Sequence, residues 1–239
     1  MLFRSLVREL KKYATTKRKK ANEWYFKTGV GQYGEGDVFI GVSNPDARKV
    51  VQKFSHLTLR EIGEVLDSDI HEVRLVGVLI LVKQYEKAID KDTKLKIATF
   101  YLKKLKHINN WDLVDLSACR VLGRAIRDKM MPEHILDTLA NSKNMWKRRV
   151  AIIATMTLIK EKDYTATMRI ATKLLSDKED LTHKAVGWAL REVWKRDPAL
   201  CEQFLLTQYS KLPRTTLRYA IEKMEETKRQ QFLKKKHQK

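Results

Sequence analysis

Three stretches of the sequence carry residues whose types and spacing can do chemistry. The first is Asn109-Asn110-Trp111-Asp112-Leu113-Val114-Asp115-Leu116-Ser117-Ala118. Asn110 reads as a helix cap, and Asp112 in the first turn suits the helix dipole, which is reason enough for that carboxylate. Asp115 is different. Trp111, Asp115, Ala118 and Leu122 fall at i, i+4, i+7 and i+11, on one helical stripe. A carboxylate in an apolar stripe is costly unless it is paired or functional. Spacing alone leaves both readings open: a nearby arginine that satisfies it, or a role at a site.

The second stretch is Met145-Trp146-Lys147-Arg148-Arg149-Val150. Arg149 shares a stripe with Trp146, Ile153 and Thr157, whereas Arg148 falls on a more polar side with Thr155 and Lys162. Arg149 is therefore the better partner for a buried anion, phosphate or carboxylate. In the third stretch, Trp188 has Lys184, Arg191 and Lys195 as helical neighbours, while Val186, Leu190 and Val193 form the apolar face. An aromatic ring framed by cations suggests contact with a nucleic-acid sugar or base, against the alternative of a Trp closing a seam between helices. Gly187 beside it would admit the close approach of a ligand backbone.

Other chemistries find no support. Gly29-Val30-Gly31-Gln32-Tyr33-Gly34 fits G-x-G-x-x-G letter for letter, but a helix pattern precedes it and more loop follows, so the dinucleotide reading fails and the glycines read as loop flexibility. The six histidines form no i, i+4 pair, and the two cysteines form no cluster, so neither a metal site nor a cofactor is expected. Neither a nucleophile elbow nor a Walker loop is present. Cys119 and Cys201 read as buried thiols in a reducing cytoplasm.

The elements that must position these residues are helices. Only four prolines and nine glycines punctuate 239 residues. The spacing predicts a first helix over Leu2–Tyr13, a second in the basic stretch Lys17–Lys27, and a loop over Gly29–Val42. Helices then follow near 45–54, 59–66, 69–88, 92–106, 111–128, 132–140, 145–161, 163–176, 181–196, 198–209 and 214–229. Ser43 and Asn44 before Pro45, and Thr58, Ser68, Asn110, Asn144, Asp180 and Asp197 later, read as N-caps. Val76-Gly77, Val114-Asp115, Val150-Ala151 and Val186-Gly187 recur at steps of 38, 36 and 36. That period, with two helices per unit, predicts an all-α, HEAT-like repeat solenoid with a concave surface. It is expected as one domain over residues 1–230, followed by a basic, disordered tail over 231–239.

Charge names the partner class. Forty-nine Lys and Arg against 29 Asp and Glu leave a net charge of +20, which attracts a polyanion. The apolar runs around Val76–Val82 and Val150–Ile159 are too short or too polar to span a bilayer, no interfacial anchor is evident, and MLFRSLVREL is no signal peptide.

Val38–Lys49, Trp111–Asp115, Trp146–Ile152 and Ala185–Glu192, in chain order and within roughly residues 20–200, resemble the AlkD-type DNA alkylation repair glycosylases. The resemblance implies HEAT-like repeats clasping duplex DNA in a basic groove and hydrolysis of the N-glycosidic bond of N3- or N7-alkylated purines. It implies Asp115 as the catalytic carboxylate, Trp111 and Trp188 flanking the deoxyribose of the lesion, and Arg149 near its phosphate. Arg148, Lys147, Lys184, Arg191 and Ser43 complete the expected DNA-binding set, Ser43 standing where some members place a longer polar side chain. A cationic purine leaves without a general acid, so one carboxylate and two indoles suit the electron-poor sugar. With no positioned lysine nucleophile, the expected enzyme is monofunctional. It is expected to be a cytoplasmic monomer, nucleoid-associated if prokaryotic. A non-catalytic nucleic-acid-binding repeat protein is the alternative; a protein-interaction scaffold would not need the charge.

Overall fold

The computed structural model describes residues 2–234 and is all-helical. Its contacts divide the chain between Leu122 and Gly123 into two compact units.

The first unit contains α1 Leu2–Lys11, α2 Thr16–Tyr25, α3 Asn44–Lys53, α4 Leu59–Leu66, α5 His71–Lys87, α6 Lys91–Lys103 and α7 Trp111–Ser117. Helix α5 is its centre. It packs against α3, α4, α6 and α7, and its residues are buried without a break from His71 to Val82. Its middle, Leu75–Val82, is apolar on every side and has to lie inside. The second unit contains α8 Arg124–Arg127, α9 Ile135–Ala140, α10 Met145–Ala154, α11 Met156–Lys160, α12 Thr165–Leu174, α13 Asp180–Trp194, α14 Pro198–Thr207, α15 Arg214–Ala220 and α16 Glu226–Lys234. Here α13 is central, packed against α10, α12, α14 and α15. Val76, Val114, Val150 and Val186, which mark the period, are all fully buried. Short helices pairing with the next along the chain, as α4 with α5, α9 with α10 and α12 with α13, are consistent with a helical repeat solenoid.

Local chemistry sets most boundaries. Thr58 and Glu61 close a capping box on α4. The side chains of Ser43, Asn110, Asn144 and Asp197 cap α3, α7, α10 and α14 as expected. Two expected caps are corrected. Ile70, not Ser68, precedes α5, and the Ser68 hydroxyl accepts from the Ile70 N–H instead. Asp180 is the first residue of α13 and pairs with Lys184 at 2.9 Å. Three expected helices are interrupted. The 111–128 helix breaks into a π-helical turn at Cys119–Gly123. The 145–161 helix breaks at Thr155, whose hydroxyl donates to the Ile152 carbonyl at 2.7 Å. The 214–229 helix stops at Ala220 and resumes as α16. Helix α16 runs on to Lys234 with Phe232 buried beneath it and the Tyr209 hydroxyl on the Phe232 carbonyl, so 231–234 are folded. The rest of the expected tail, 235–239, lies outside the described residues.

The glycine-rich segment is held, not loose. A Cβ on Gly34 would sit 2.2 Å from the Phe26 carbonyl oxygen, and one on Gly41 would sit 2.2 Å from that of Thr15. These glycines serve close backbone packing rather than the flexibility expected of them. The segment also makes a single parallel bridge, Val38 to Ile70.

Candidate functional site

Helix α7 presents the first candidate residues. Asn110 is buried and its side-chain oxygen accepts from the Trp111 N–H at 2.8 Å. Asp112, Leu113, Val114 and Ser117 are buried, while Trp111 and Asp115, one turn apart, are both half-buried. Further along the expected stripe, Ala118 and Leu122 are fully buried. The stripe is thus not one apolar face: its first two members stand at the rim and its last two in the core.

Trp111 belongs to an aromatic column. Its ring stacks on Phe26 at 5.3 Å and meets the edge of Tyr25 at 5.7 Å. Phe26 in turn stacks on Phe39 at 5.0 Å and lies 4.9 Å from the His71 ring. His71, at the start of α5 and 1% exposed, is bonded on both sides. Its Nδ1 lies 3.1 Å from Asp37 Oδ2 and its Nε2 lies 2.9 Å from Asp112 Oδ2. Arg74 Nη2 donates to the other Asp37 oxygen at 2.5 Å, and Asn110 Nδ2 donates to Asp37 Oδ2 at 3.0 Å. Burial disfavours charge on His71, but the two carboxylates outweigh it and raise its pKa to about 9. Asp37 pays for burial too, yet His71 and Arg74 hold it below the usual carboxylate range.

The neighbouring Glu72 does different work. Its carboxylate accepts from the backbone N–H groups of Ile40, Gly41 and Val42 at 3.0, 2.8 and 3.2 Å, and from Asn22 Nδ2 at 3.2 Å. It straps the glycine-rich segment and α2 to α5. Helix α2 itself buries no side chain, and it ends with Trp24 and Tyr25 73% and 55% exposed, the ammonium of Lys27 lying 4.7 Å over the Trp24 ring.

In the second unit, Arg149 on α10 is buried and its Nη1 donates to the Leu181 carbonyl. Arg148 is turned inward as well. It makes a two-point contact with Asp177 at 2.5 and 2.9 Å and donates to the carbonyls of Ser142 and Lys143. These contacts make Arg148 a brace within its unit, whatever it adds as one of the expected DNA-binding residues. Arg191 is paired with Glu222 across to the segment after α15. Trp188 on α13 is half-buried, as are Lys184 and Lys147. Gly187 beside Trp188 has a structural reason: a Cβ there would meet Tyr219 Cβ at 2.5 Å and the Thr216 carbonyl oxygen at 2.6 Å. The glycine admits α15, not a ligand. Ser43, in the first unit, is occupied as a cap, accepting from the Asp46 N–H and donating to Asp46 Oδ2 at 2.6 Å.

Sequence reasoning placed Trp111 and Asp115 on one turn but missed His71, Asp37, Arg74 and Phe26. The available signal was His71, Glu72 and Arg74 just ahead of the apolar run Leu75–Val82. Among the described residues, no three His, Cys, Asp or Glu side chains group as metal ligands, and no helix is long and apolar enough to cross a membrane. Neither cysteine is in a disulfide; Cys201 is buried, which pushes its thiol up to about 12, whereas Cys119 is only half-buried.

The sequence matches, over residues 6–224, a family model described as DNA alkylation repair enzyme. Among solved structures, a predicted DNA alkylation repair enzyme from Enterococcus faecalis is similar, with a TM-score of 0.69 and 15% identity over 89% of this chain and 97% of that one. At that identity the likeness is one of fold. No curated protein matches the sequence.

Proposed function

The chain belongs to the DNA alkylation repair enzyme family, whose work is DNA repair, and on that premise we propose that it is an AlkD-type monofunctional glycosylase acting on cationic N3- and N7-alkylated purines in duplex DNA. The observation that carries the reading is the rim position of Trp111 and Asp115 on α7, half-buried one turn apart while the intervening residues are buried. A carboxylate so placed can reach a ligand without leaving its helix.

The chemistry asks for little else. The alkylated purine carries positive charge, so the C1′–N bond breaks with its electron pair going to the base, which departs neutral. Positive charge develops on the sugar. Asp115 stabilises that charge and takes the proton of the water that adds to C1′. The indole of Trp111 adds the attraction of its ring face for the same charge. In the second unit, Trp188 is assigned a sugar contact and Arg149 a phosphate contact, with Lys147 and Lys184 as further phosphate partners. No cofactor is required, and the proposed working form is a monomer on double-stranded DNA, in the cytoplasm or at a prokaryotic nucleoid. The net charge of +20 supports a polyanion as partner.

The test is release of 3-methyladenine or 7-methylguanine from methylated duplex under single-turnover conditions, with Asp115→Asn beside the wild type. Loss of the carboxylate charge should slow excision by about 10²–10³-fold, the scale of removing one preorganised electrostatic contact. Duplex affinity should hold or rise. A folded Asp115→Asn protein with wild-type excision would refute the assignment, and a wild type that binds duplex yet releases no base would favour the non-catalytic binding protein.

A further inference from the structure

The environment of His71 carries more than stability. Both ring nitrogens face carboxylate oxygens, at 3.1 Å for Asp37 and 2.9 Å for Asp112. A neutral imidazole has one donor only, so one of these contacts would set a ring lone pair against a carboxylate in a nearly dry pocket. Two protons on the ring remove that conflict. The charges then balance: His71 and Arg74 against Asp37 and Asp112, all with side chains less than a tenth exposed. Among the described residues, the charged groups against the ring are Asp37 and Asp112; Glu72 on the same helix turns to the amides of Ile40–Val42. Phe39 stacks on the ring at 4.5 Å and Phe26 lies beside it at 4.9 Å, and aromatic rings so close favour a cation.

Three routes lead from this quartet to Trp111. Asp112, the residue after it, is bonded to His71. Asn110, the residue before it and the cap on its N–H, is bonded to Asp37. The ring on which its indole stacks, Phe26, lies against His71. We infer that His71, as an imidazolium held between Asp37 and Asp112, is the positioning residue of Trp111 and of the start of α7. The inference rests on the reading of Trp111 as a site residue. His71 itself, 1% exposed, touches no ligand.

The experiment follows three quantities from pH 6 to 10 in wild type, His71→Gln and Asp112→Asn. These are the imidazole nitrogen shifts of His71, the indole N–H resonance of Trp111 (identified by its loss in Trp111→Phe), and single-turnover excision from methylated duplex. In the wild type, His71 keeps both protons at pH 7 and loses one near 9, and the Trp111 resonance and the excision rate move with the same midpoint. His71→Gln lowers excision by about 10-fold or more, on the scale of a misplaced reacting group, and removes the alkaline limb. Its affinity for unmodified duplex stays within about twofold, because no phosphate contact has been touched. Asp112→Asn, which keeps an acceptor but not the charge, moves the midpoint down by about one pH unit or more. A purely structural role would lower stability without moving that midpoint.

A neutral His71 at pH 7, a Trp111 resonance that stays fixed while His71 titrates, or a folded His71→Gln protein with wild-type excision overturns the inference. If His71→Gln does not fold, the midpoint in Asp112→Asn decides. If the wild type excises nothing, the glycosylase reading fails by itself, and the two resonances still decide whether His71 positions Trp111.

Discussion

Two helices of this protein begin with nearly the same words. Asn110 caps α7 and is followed by Trp111; Asn144 caps α10 and is followed, one residue later, by Trp146. The one-residue difference sends the rings to different fates. Asn110 accepts from the Trp111 N–H itself, and Trp111 stands at the rim, stacked on Phe26. Asn144 accepts from the N–H groups of Trp146 and Lys147, and Trp146 is 6% exposed, inside its unit. Their surroundings differ as much. Around α7 the fixing groups are a buried imidazole, two carboxylates and a guanidinium; around α10 they are the Arg148–Asp177 contact and backbone carbonyls. A cap followed by Trp is therefore not a site signature. What distinguishes the rim Trp is a buried polar network holding the helix start on which it rides.

Substitution of the two rings tests that contrast first. Trp146→Ala should cost about 3–5 kcal/mol in urea unfolding, the range for a buried Trp cut to a methyl. Trp111→Ala should cost less, about 1–2 kcal/mol for a half-buried stacked ring, yet slow excision by about 10-fold or more. Equal stability losses would erase the distinction.

Alkali should then separate the units. The raised pKa of His71 means that its contribution is fully present below its unfolded value near 6.5. It is lost as pH climbs through about 9. On the order of 3 kcal/mol is at stake, taking 1.36 kcal/mol per pH unit. Amide exchange or local probes in α5 and α7 should report that loss, and His71→Gln should abolish it. The Arg148–Asp177 contact has no such limb, since a guanidinium does not titrate there. Asp177 is held below the carboxylate range despite its burial, chiefly by Arg148. Its contribution is present above about 3.8 and fades only as pH falls through the lowered value.

The smallest effect concerns the two possible roles of Arg148. Asp177→Asn should cost about 1–2 kcal/mol, the loss of charge from a hydrogen-bonded contact that keeps its carbonyl partners. Arg148→Gln should leave duplex affinity within about twofold. A fall of tenfold or more in filter binding at fixed salt would make Arg148 a DNA-binding residue as well as a brace.

The comparison also explains what could be read without a structure. The caps at Thr58, Asn110 and Asn144, and the Val76 to Val186 period, are local or periodic signals, and all describe the fold found. The place of Trp111 and Asp115 on one turn was likewise legible from spacing. The His71 network was not, because its members Asp37, His71 and Asp112 are 34 and 41 residues apart and meet only through packing. Gly187 misled for the related reason that its neighbours, Thr216 and Tyr219, lie on another helix. The Arg148 brace was hidden because polarity of a helical stripe says nothing of an Asp177 that arrives from elsewhere in the chain.

The Glu72 strap has a consequence in the language of exchange and folding order. The amides of Ile40, Gly41 and Val42 belong to no helix, yet all three end on one carboxylate from α5. Their protection from solvent exchange is thus lent to them by a residue 30 or more positions away, and should vanish together, not singly, in Glu72→Gln. The segment that reads as the loosest in the sequence can settle only after α5 has formed, and from then on it opens as one piece with the start of that helix.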